Sequence, residues 1–126
     1  MKLRPIRHDE NGSTATEFGL TAPLFFMILW GIIECGLLLW TQLGLQHGTE
    51  MAVRCAAVNK TICGTTPAIQ NFAAQQAYGL NPSPSTFSVS TAACGTQVTA
   101  AYSFNFIVTY FGVSGLSLSA GACFPT

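Results

Sequence analysis

One stretch constrains this chain more than any other. From Gly19 to Leu39 the sequence is apolar except for Thr21 and Glu34. As a helix, such a run is about 31 Å long at about 1.5 Å per residue, the thickness of a bilayer's hydrocarbon core. A soluble fold would have to surround it on every side. The rest of a 126-residue chain is too small to build such a core. The run is also longer than the apolar part of an ordinary secretory signal, and no small-x-small cleavage site follows it directly. We read it as a retained membrane-spanning helix.

The flanks give the expected orientation. Lys2, Arg4 and Arg7 precede the run, and the next basic residues, Arg54 and Lys60, lie well beyond it. The positive-inside rule places the N-terminus in the cytoplasm and the remainder outside. Trp40 and His47 mark the outer boundary, Trp40 as an interfacial anchor. No proline interrupts Thr41 to Val58, so one helix is expected from about Thr16 to Ala57, with Pro23 a possible kink. Leu39, Leu43, Met51 and Val58 form its expected apolar stripe. Glu50 and Arg54 are spaced for a weak helical ion pair.

Beyond the helix the period changes. Pro67 to Gly79 is expected as a second helix, with Thr66 as N-cap, Pro67 at the first position and Gly79 as the stop. Ile69, Phe72, Ala73, Gln76 and Leu80 share its inner face. Asn81 to Ser85 is a turn-rich linker. Three alternating strands follow, around Phe87–Thr91, Val98–Phe106 and Leu116–Ala122. Gly95-Thr96 is the first expected turn, and Gly112 to Gly115 the second connection. Tyr102, Phe104, Phe106, Tyr110 and Phe111 are expected to serve the sheet core. So small a sheet is marginal alone, and its apolar face has to cover the helices.

The fold class expected is therefore an α+β membrane protein. It has a long N-terminal transmembrane helix extending outward, a short second helix and a small three-stranded antiparallel sheet. Residues 1–12 read as a leader, 13–58 as the transmembrane and extended helix, and 59–126 as a small extracytoplasmic domain.

Charge narrows the function. Five Lys and Arg balance five Asp and Glu, leaving no basic excess to neutralise phosphates, so nucleic acid is not an expected partner. Every charged residue lies at or before Lys60, and His8 and His47 also fall in the first half. The region from Thr61 onward thus lacks the carboxylates, imidazoles and cations on which most hydrolytic and metal-assisted catalysis depends. No nucleophile–base pair, phosphate loop or metal cluster is legible. We expect no enzyme, no cofactor, no metal and no small-molecule substrate.

Cys35 lies in the apolar run, where a thiol behaves as a small apolar group. Cys55, Cys63, Cys94 and Cys123 lie outside it, and an even number in an oxidising compartment suggests two disulfides. Three pairings are possible. Cys55–Cys63 is preferred as a short loop at the helix end, and Cys94–Cys123 because a meander brings both to one end of the sheet. Strands one and three would be about 9.6 Å apart, beyond the roughly 7 Å that a disulfide spans. Cys94 must then reach across from a loop. Four reduced thiols or a zinc site are the alternative, without the usual Cys-x2-Cys spacing.

The segment Gly12-Ser13-Thr14-Ala15-Thr16-Glu17-Phe18 follows the basic stub and opens the apolar helix. It resembles a type IV prepilin processing site. In that class a membrane peptidase cuts after the Gly, here between Gly12 and Ser13. Glu17 would become the fifth residue of the mature chain. The continuation, with Pro23 and Gly31-Ile32-Ile33-Glu34-Cys35-Gly36, resembles the TadE-like pseudopilins and minor pilins of the tight adherence (Tad/Flp) pilus system. Their later Gly-Ala-Arg reads Ala52-Val53-Arg54 here. The resemblance implies an inner-membrane protein that takes part in assembling an adhesive pilus. Its implied partners are a prepilin peptidase, other pilus subunits and the Tad assembly platform.

Two carboxylates stand out in that frame. Glu17 either pairs with the freed amino group of a neighbouring subunit or favours a helix N-terminus. Glu34 either faces a partner helix or reaches the outer interface. A rival reading is a signal-anchored, single-pass envelope protein with a small binding domain unrelated to pili.

Overall fold

The computed structural model describes residues 11–110 and 112–125. The basic stub Lys2, Arg4 and Arg7, His8 and Phe111 lie outside the described residues. The elements in order are helix α1 (Asn11–Val58), helix α2 (Thr66–Gln75), a 3₁₀ turn (Pro84–Thr86), and strands β1 (Phe87–Ala92), β2 (Gly95–Tyr110) and β3 (Val113–Phe124). The strands form one antiparallel sheet in the order β1-β2-β3. This is the expected α+β architecture.

The chain divides into two compact units at Cys35/Gly36. In the first, α1 runs unbroken through Pro23, although the proline ring has no N–H to donate to the Gly19 carbonyl. The helix already includes Asn11, ahead of the expected Thr16.

The second unit contains the core. The C-terminal part of α1 contributes Leu45, Ala52, Val53 and Ala56 to a cluster with Ile69, Ala73 and Ala74 of α2. Phe87, Val98, Ala100, Leu118 and Ala120 close it from the sheet. Thr41 and Thr49 are buried too, and each hydroxyl donates to a carbonyl of its own helix, Leu37 and Gln46 respectively. That meets the rule that buried polar groups find partners.

The packing face of α1 differs from the expected stripe. Leu39, Leu43 and Val58 are exposed. The buried positions are Thr41, Gly44, Leu45, Gly48, Thr49, Ala52, Val53 and Ala56, alternately three and one apart. Small residues recur on that face every four positions. A Cβ built on Gly48 would stand 2.8 Å from the Ala73 carbonyl oxygen and 3.4 Å from the Phe87 ring. One built on Gly44 would stand 3.0 Å from the Ala77 carbonyl oxygen. Close approach selects glycine here, and a search for large apolar side chains passes it over.

Helix α2 also departs from expectation. Thr65, not Thr66, occupies the N-cap position, and the helix ends at Gln75 rather than near Gly79. In a continued helix the Gln76 carbonyl would accept from the Leu80 N–H. Instead His47 Nδ1 donates to it at 2.9 Å, and Leu80 N–H turns to the Ala77 carbonyl. Tyr78 follows with φ of 47°, costly for a bulky residue. Its ring stacks on His47 at 4.3 Å.

Strand β1 matches expectation closely, while β2 and β3 run longer. The first turn falls at Ala93 and Cys94, because Ala92 pairs with Gly95. The second turn is tighter than expected, since Tyr110 pairs with Val113 and Gly112 has φ of 79°. Gly115 therefore lies inside β3, opposite Asn105. The alternation stops at Phe106-Ile107-Val108, but pairing resumes beyond a register shift between Asn105 and Tyr110. Tyr102, Phe104 and Phe106 are half-buried.

Two disulfides staple this unit, Cys55–Cys63 and Cys94–Cys123. Cys94 sits in the β1–β2 turn, beside the Thr96↔Phe124 end of the β2–β3 ladder. From there its Cα is 6.2 Å from that of Cys123. The turn thus resolves the distance problem that two non-adjacent strands would pose.

Two stability predictions follow from these contacts. Replacing Gly48 with Ala should destabilise the second unit by about 1–3 kcal/mol, because overpacking outweighs the roughly 1 kcal/mol gain in helix propensity. Gly31→Ala, where a Cβ meets nothing within 4 Å, should not. Denaturant titration of the detergent-solubilised protein reads both. The same titration should show that removing Cys94–Cys123 costs more than removing Cys55–Cys63. Their separations are 29 and 8 residues. Loop closure gives about 3.6 and 2.6 kcal/mol respectively.

Candidate functional site

The N-terminal segment singled out by sequence opens α1 directly. Gly12, Ser13, Glu17 and Phe18 are all helical and exposed. The Gly12–Ser13 peptide bond lies in the first turn. Thr16 Oγ1 donates to the Ser13 carbonyl at 2.8 Å and approaches the Gly12 carbonyl at 3.2 Å. Thr21 Oγ1 donates to the Glu17 carbonyl in the same way.

From Phe18 to Ile33 the helix is apolar around its circumference except for Thr21. Leu20, Leu24, Phe25, Phe26, Met27, Ile28 and Ile32 are all exposed. A helix hydrophobic on every side belongs in a core or a membrane. Among the described residues this is one helix long and apolar enough to cross a membrane, with a mean hydropathy of 2.1 and 6% burial in its most apolar window.

Glu34 closes this segment and is only 3% exposed, covered by its own chain. The exposed Cys35 thiol beside it is free. Structure thus separates the two carboxylates: Glu17 is presented outward, Glu34 is enclosed. Further along, Glu50 accepts from Gln46 Nε2 at 3.1 Å rather than pairing with Arg54. Trp40, Tyr78 and His47 form an aromatic group, with Trp40 and Tyr78 centroids 6.2 Å apart and both rings about half exposed.

The second unit offers little for chemistry. A groove of about 370 Å³ lies between the Cys55–Cys63 loop, α2 and the sheet, bordered by Ala56, Lys60, Ile69, Val89 and Thr96. Lys60 is its one charged lining residue. Among the described residues no three or more His, Cys, Asp or Glu gather as a metal would require.

The sequence comparison bears on the segment just described. The TadE-like protein family model matches residues 12–54. This stretch is TadE-like. The match begins at Gly12, covers Glu17, Phe18, Pro23 and Glu34, and ends at Arg54, so it crosses from the first unit into the second. It bears out the resemblance drawn from those residues. No curated protein and no solved structure matches the chain.

The small face Gly44, Gly48, Ala52 and Ala56 within the TadE-like stretch was not singled out from sequence as a packing surface. Its signal is the four-residue spacing of small side chains. The cysteine arrangement makes a direct prediction. Intact mass after maleimide treatment of the unfolded, unreduced protein should show one modified thiol, Cys35, and five after reduction.

Proposed function

We propose that this chain is a TadE-like minor pilin or pseudopilin that takes part in assembling a Tad/Flp adhesive pilus. The observation that carries the reading is the match over residues 12–54, which opens on Gly12 and includes Glu17-Phe18 at the head of the apolar helix. Its role is structural: it is a substrate of a prepilin peptidase and a partner of other pilus subunits and the assembly platform.

In this reading the protein spans the inner membrane once, N-terminus in the cytoplasm. Lys2, Arg4 and Arg7 before the helix support that orientation. The two disulfides favour an oxidising compartment for residues 59–126, the extracytoplasmic domain. The peptidase cuts between Gly12 and Ser13. Cleavage requires the first turn of α1 to open, and the helix-weakening glycine at position 12 eases this by about 1 kcal/mol relative to alanine. Terminal turns are also the least stable part of a helix. The new amino group at Ser13 and the carboxylate of Glu17 are then four residues apart, on one helix face. An ion pair between Glu17 and the amino group of a neighbouring subunit sets register as helices assemble. Glu34 is proposed as the second contact to neighbouring helices, which requires its cover to move aside on assembly.

N-terminal sequencing of membrane-extracted protein should begin at Ser13, and Gly12→Trp should leave the longer form. An intact start in cells that hold the peptidase would count against processing. Glu17→Ala should lower co-purification with pilus components several-fold at unchanged membrane levels. Glu34→Leu should do the same if its contact serves a neighbour. If both variants insert, keep every partner and assemble full pili, α1 is merely an anchor and the envelope-protein reading stands.

A further inference from the structure

The polar residues that follow the apolar run are bonded to the protein itself. In sequence the run ends at Leu39, because Thr41 and Gln42 come soon after. In the fold Thr41 is buried, with its hydroxyl on the Leu37 carbonyl, and Gln42 Nε2 donates to the Ser119 carbonyl at 2.9 Å. What this part of α1 leaves outside is Leu39, Trp40 and Leu43, between 55% and 66% exposed. With His47 these positions are one, three and four apart, so they share one face of the helix. No Asp, Glu, Lys or Arg occurs from Cys35 to Thr49. The lipid-compatible surface of α1 therefore continues for about one more turn, about 6 Å, past Leu39.

Tyr78 joins that face from the exit of α2. Its ring stacks on His47 at 4.3 Å and stands 6.2 Å from Trp40. Its backbone has φ of 47°, where a bulky side chain is disfavoured and Gly or Asn is usual. Stacking on His47 offsets part of that cost, yet Tyr78 remains 48% exposed. Trp and Tyr combine an apolar body with a polar tip, and they are enriched where hydrocarbon gives way to headgroups. One headgroup layer is about 5–7 Å deep. Trp40 and Leu43 lie about 1.5 and 6 Å past Leu39 along the axis, within that depth, and His47 lies about 12 Å past it.

We propose that Tyr78 makes a second contact with the membrane's outer boundary, from the exit of α2 rather than from the span. Trp40 and Tyr78 lie side by side among the lipid headgroups, and Leu43 covers the last lipid-facing turn of α1. This rests on the reading of α1 as a membrane anchor. Continuity favours lipid as the occupant, because the face belongs to the same unbroken helix as the apolar run and begins at its last residue. The order along the axis favours it too. Leu39 is followed by the aromatic pair and Leu43, and only then by Gln46 and Glu50, bonded to each other at 3.1 Å. A bilayer passes from hydrocarbon through headgroups to water in the same order. The contact sets the depth of the second unit. Sinking further would carry Glu50 into lipid, and rising would expose Leu39 and Leu43 to water.

The test uses the full chain in phosphatidylcholine vesicles, with Trp30→Phe and Trp40→Tyr removing both native tryptophans. A single fluorescent reporter is then introduced by Tyr78→Trp, Leu43→Trp, Leu29→Trp or Ser90→Trp. Tyr78→Trp in this background exchanges the two rings, so the aromatic pair is kept. Ser90 borders the same groove as Ala56, which lies about 20 Å further along α1 than Leu43. Quenching is compared between lipids brominated near the headgroup end of their acyl chains, lipids brominated near the methyl end, and aqueous acrylamide. Retention of both disulfides by mass qualifies each variant. The proposal expects shallow bromines to quench the reporters at positions 78 and 43 several-fold more than the one at position 90. It expects deep bromines to quench them less than the one at position 29. Deep quenching at position 29, with positions 78 and 43 reached by acrylamide alone, overturns the contact and leaves the anchor reading intact. Shallow quenching at position 43 without position 78 overturns the part played by α2. A reporter at position 29 that no brominated lipid quenches overturns both readings. Positions 78 and 43 shielded from bromine and acrylamide alike overturn the contact in favour of a protein occupant.

Discussion

The close approach of α1 to its neighbours is the constraint on which the second unit depends. At Gly48 there is no room for a methyl group: the Ala73 carbonyl and the Phe87 ring already occupy the space. Gly44 and the Ala77 carbonyl repeat the arrangement one turn earlier. A core built at this spacing needs few large side chains. Leu45, Val53, Ile69, Phe87, Val98 and Leu118 do most of the filling, with alanines between them. A small core gives modest stability, and the two disulfides compensate by restricting the unfolded chain.

One helix carries two kinds of surface. Its first part presents apolar side chains on all sides, which suits lipid and permits rotation about the axis. Its second part has a single packing face of small residues and therefore one rotational setting against α2 and the sheet. Glu34, enclosed by its own chain, lies just before the division at Cys35/Gly36. The TadE-like match runs through this change of environment, and the β-sheet lies wholly beyond it.

Polar side chains set the ends of elements. His47 takes the Gln76 carbonyl and so stops α2 early, leaving Tyr78 in a left-handed conformation where its ring can stack. Gln70 donates to the Phe87 carbonyl at 2.7 Å and Gln42 to that of Ser119, tying α2 and α1 to the sheet. In a domain without charges past Lys60, neutral amides and one imidazole do the orienting that ion pairs do elsewhere.

Much of this architecture was legible in the sequence. The apolar run from Gly19 to Leu39 needs no partner to be recognised, because a bilayer imposes the same condition on every side of a helix. Strand alternation survives in Phe87–Thr91 and Val98–Phe106, because one face is buried and the other is not. The Gly12 to Phe18 segment and its continuation were enough to identify the TadE-like stretch. Other features depended on groups far apart in the chain. The inner face of α1 is defined by backbone atoms of Ala73 and Ala77, so glycines, not leucines, mark it. Helix α2 ends where a histidine 29 positions earlier captures its carbonyl. Strands β2 and β3 extend past their alternating stretch because ladder pairing continues through the register shift. Cys94 reaches Cys123 because a turn, not a strand, carries it. Local periodicity determines which segments become helix or strand, since it follows from one-dimensional burial. Tertiary structure decided which faces meet and where each element stops, since close approach and hydrogen-bond competition arise only between segments brought together.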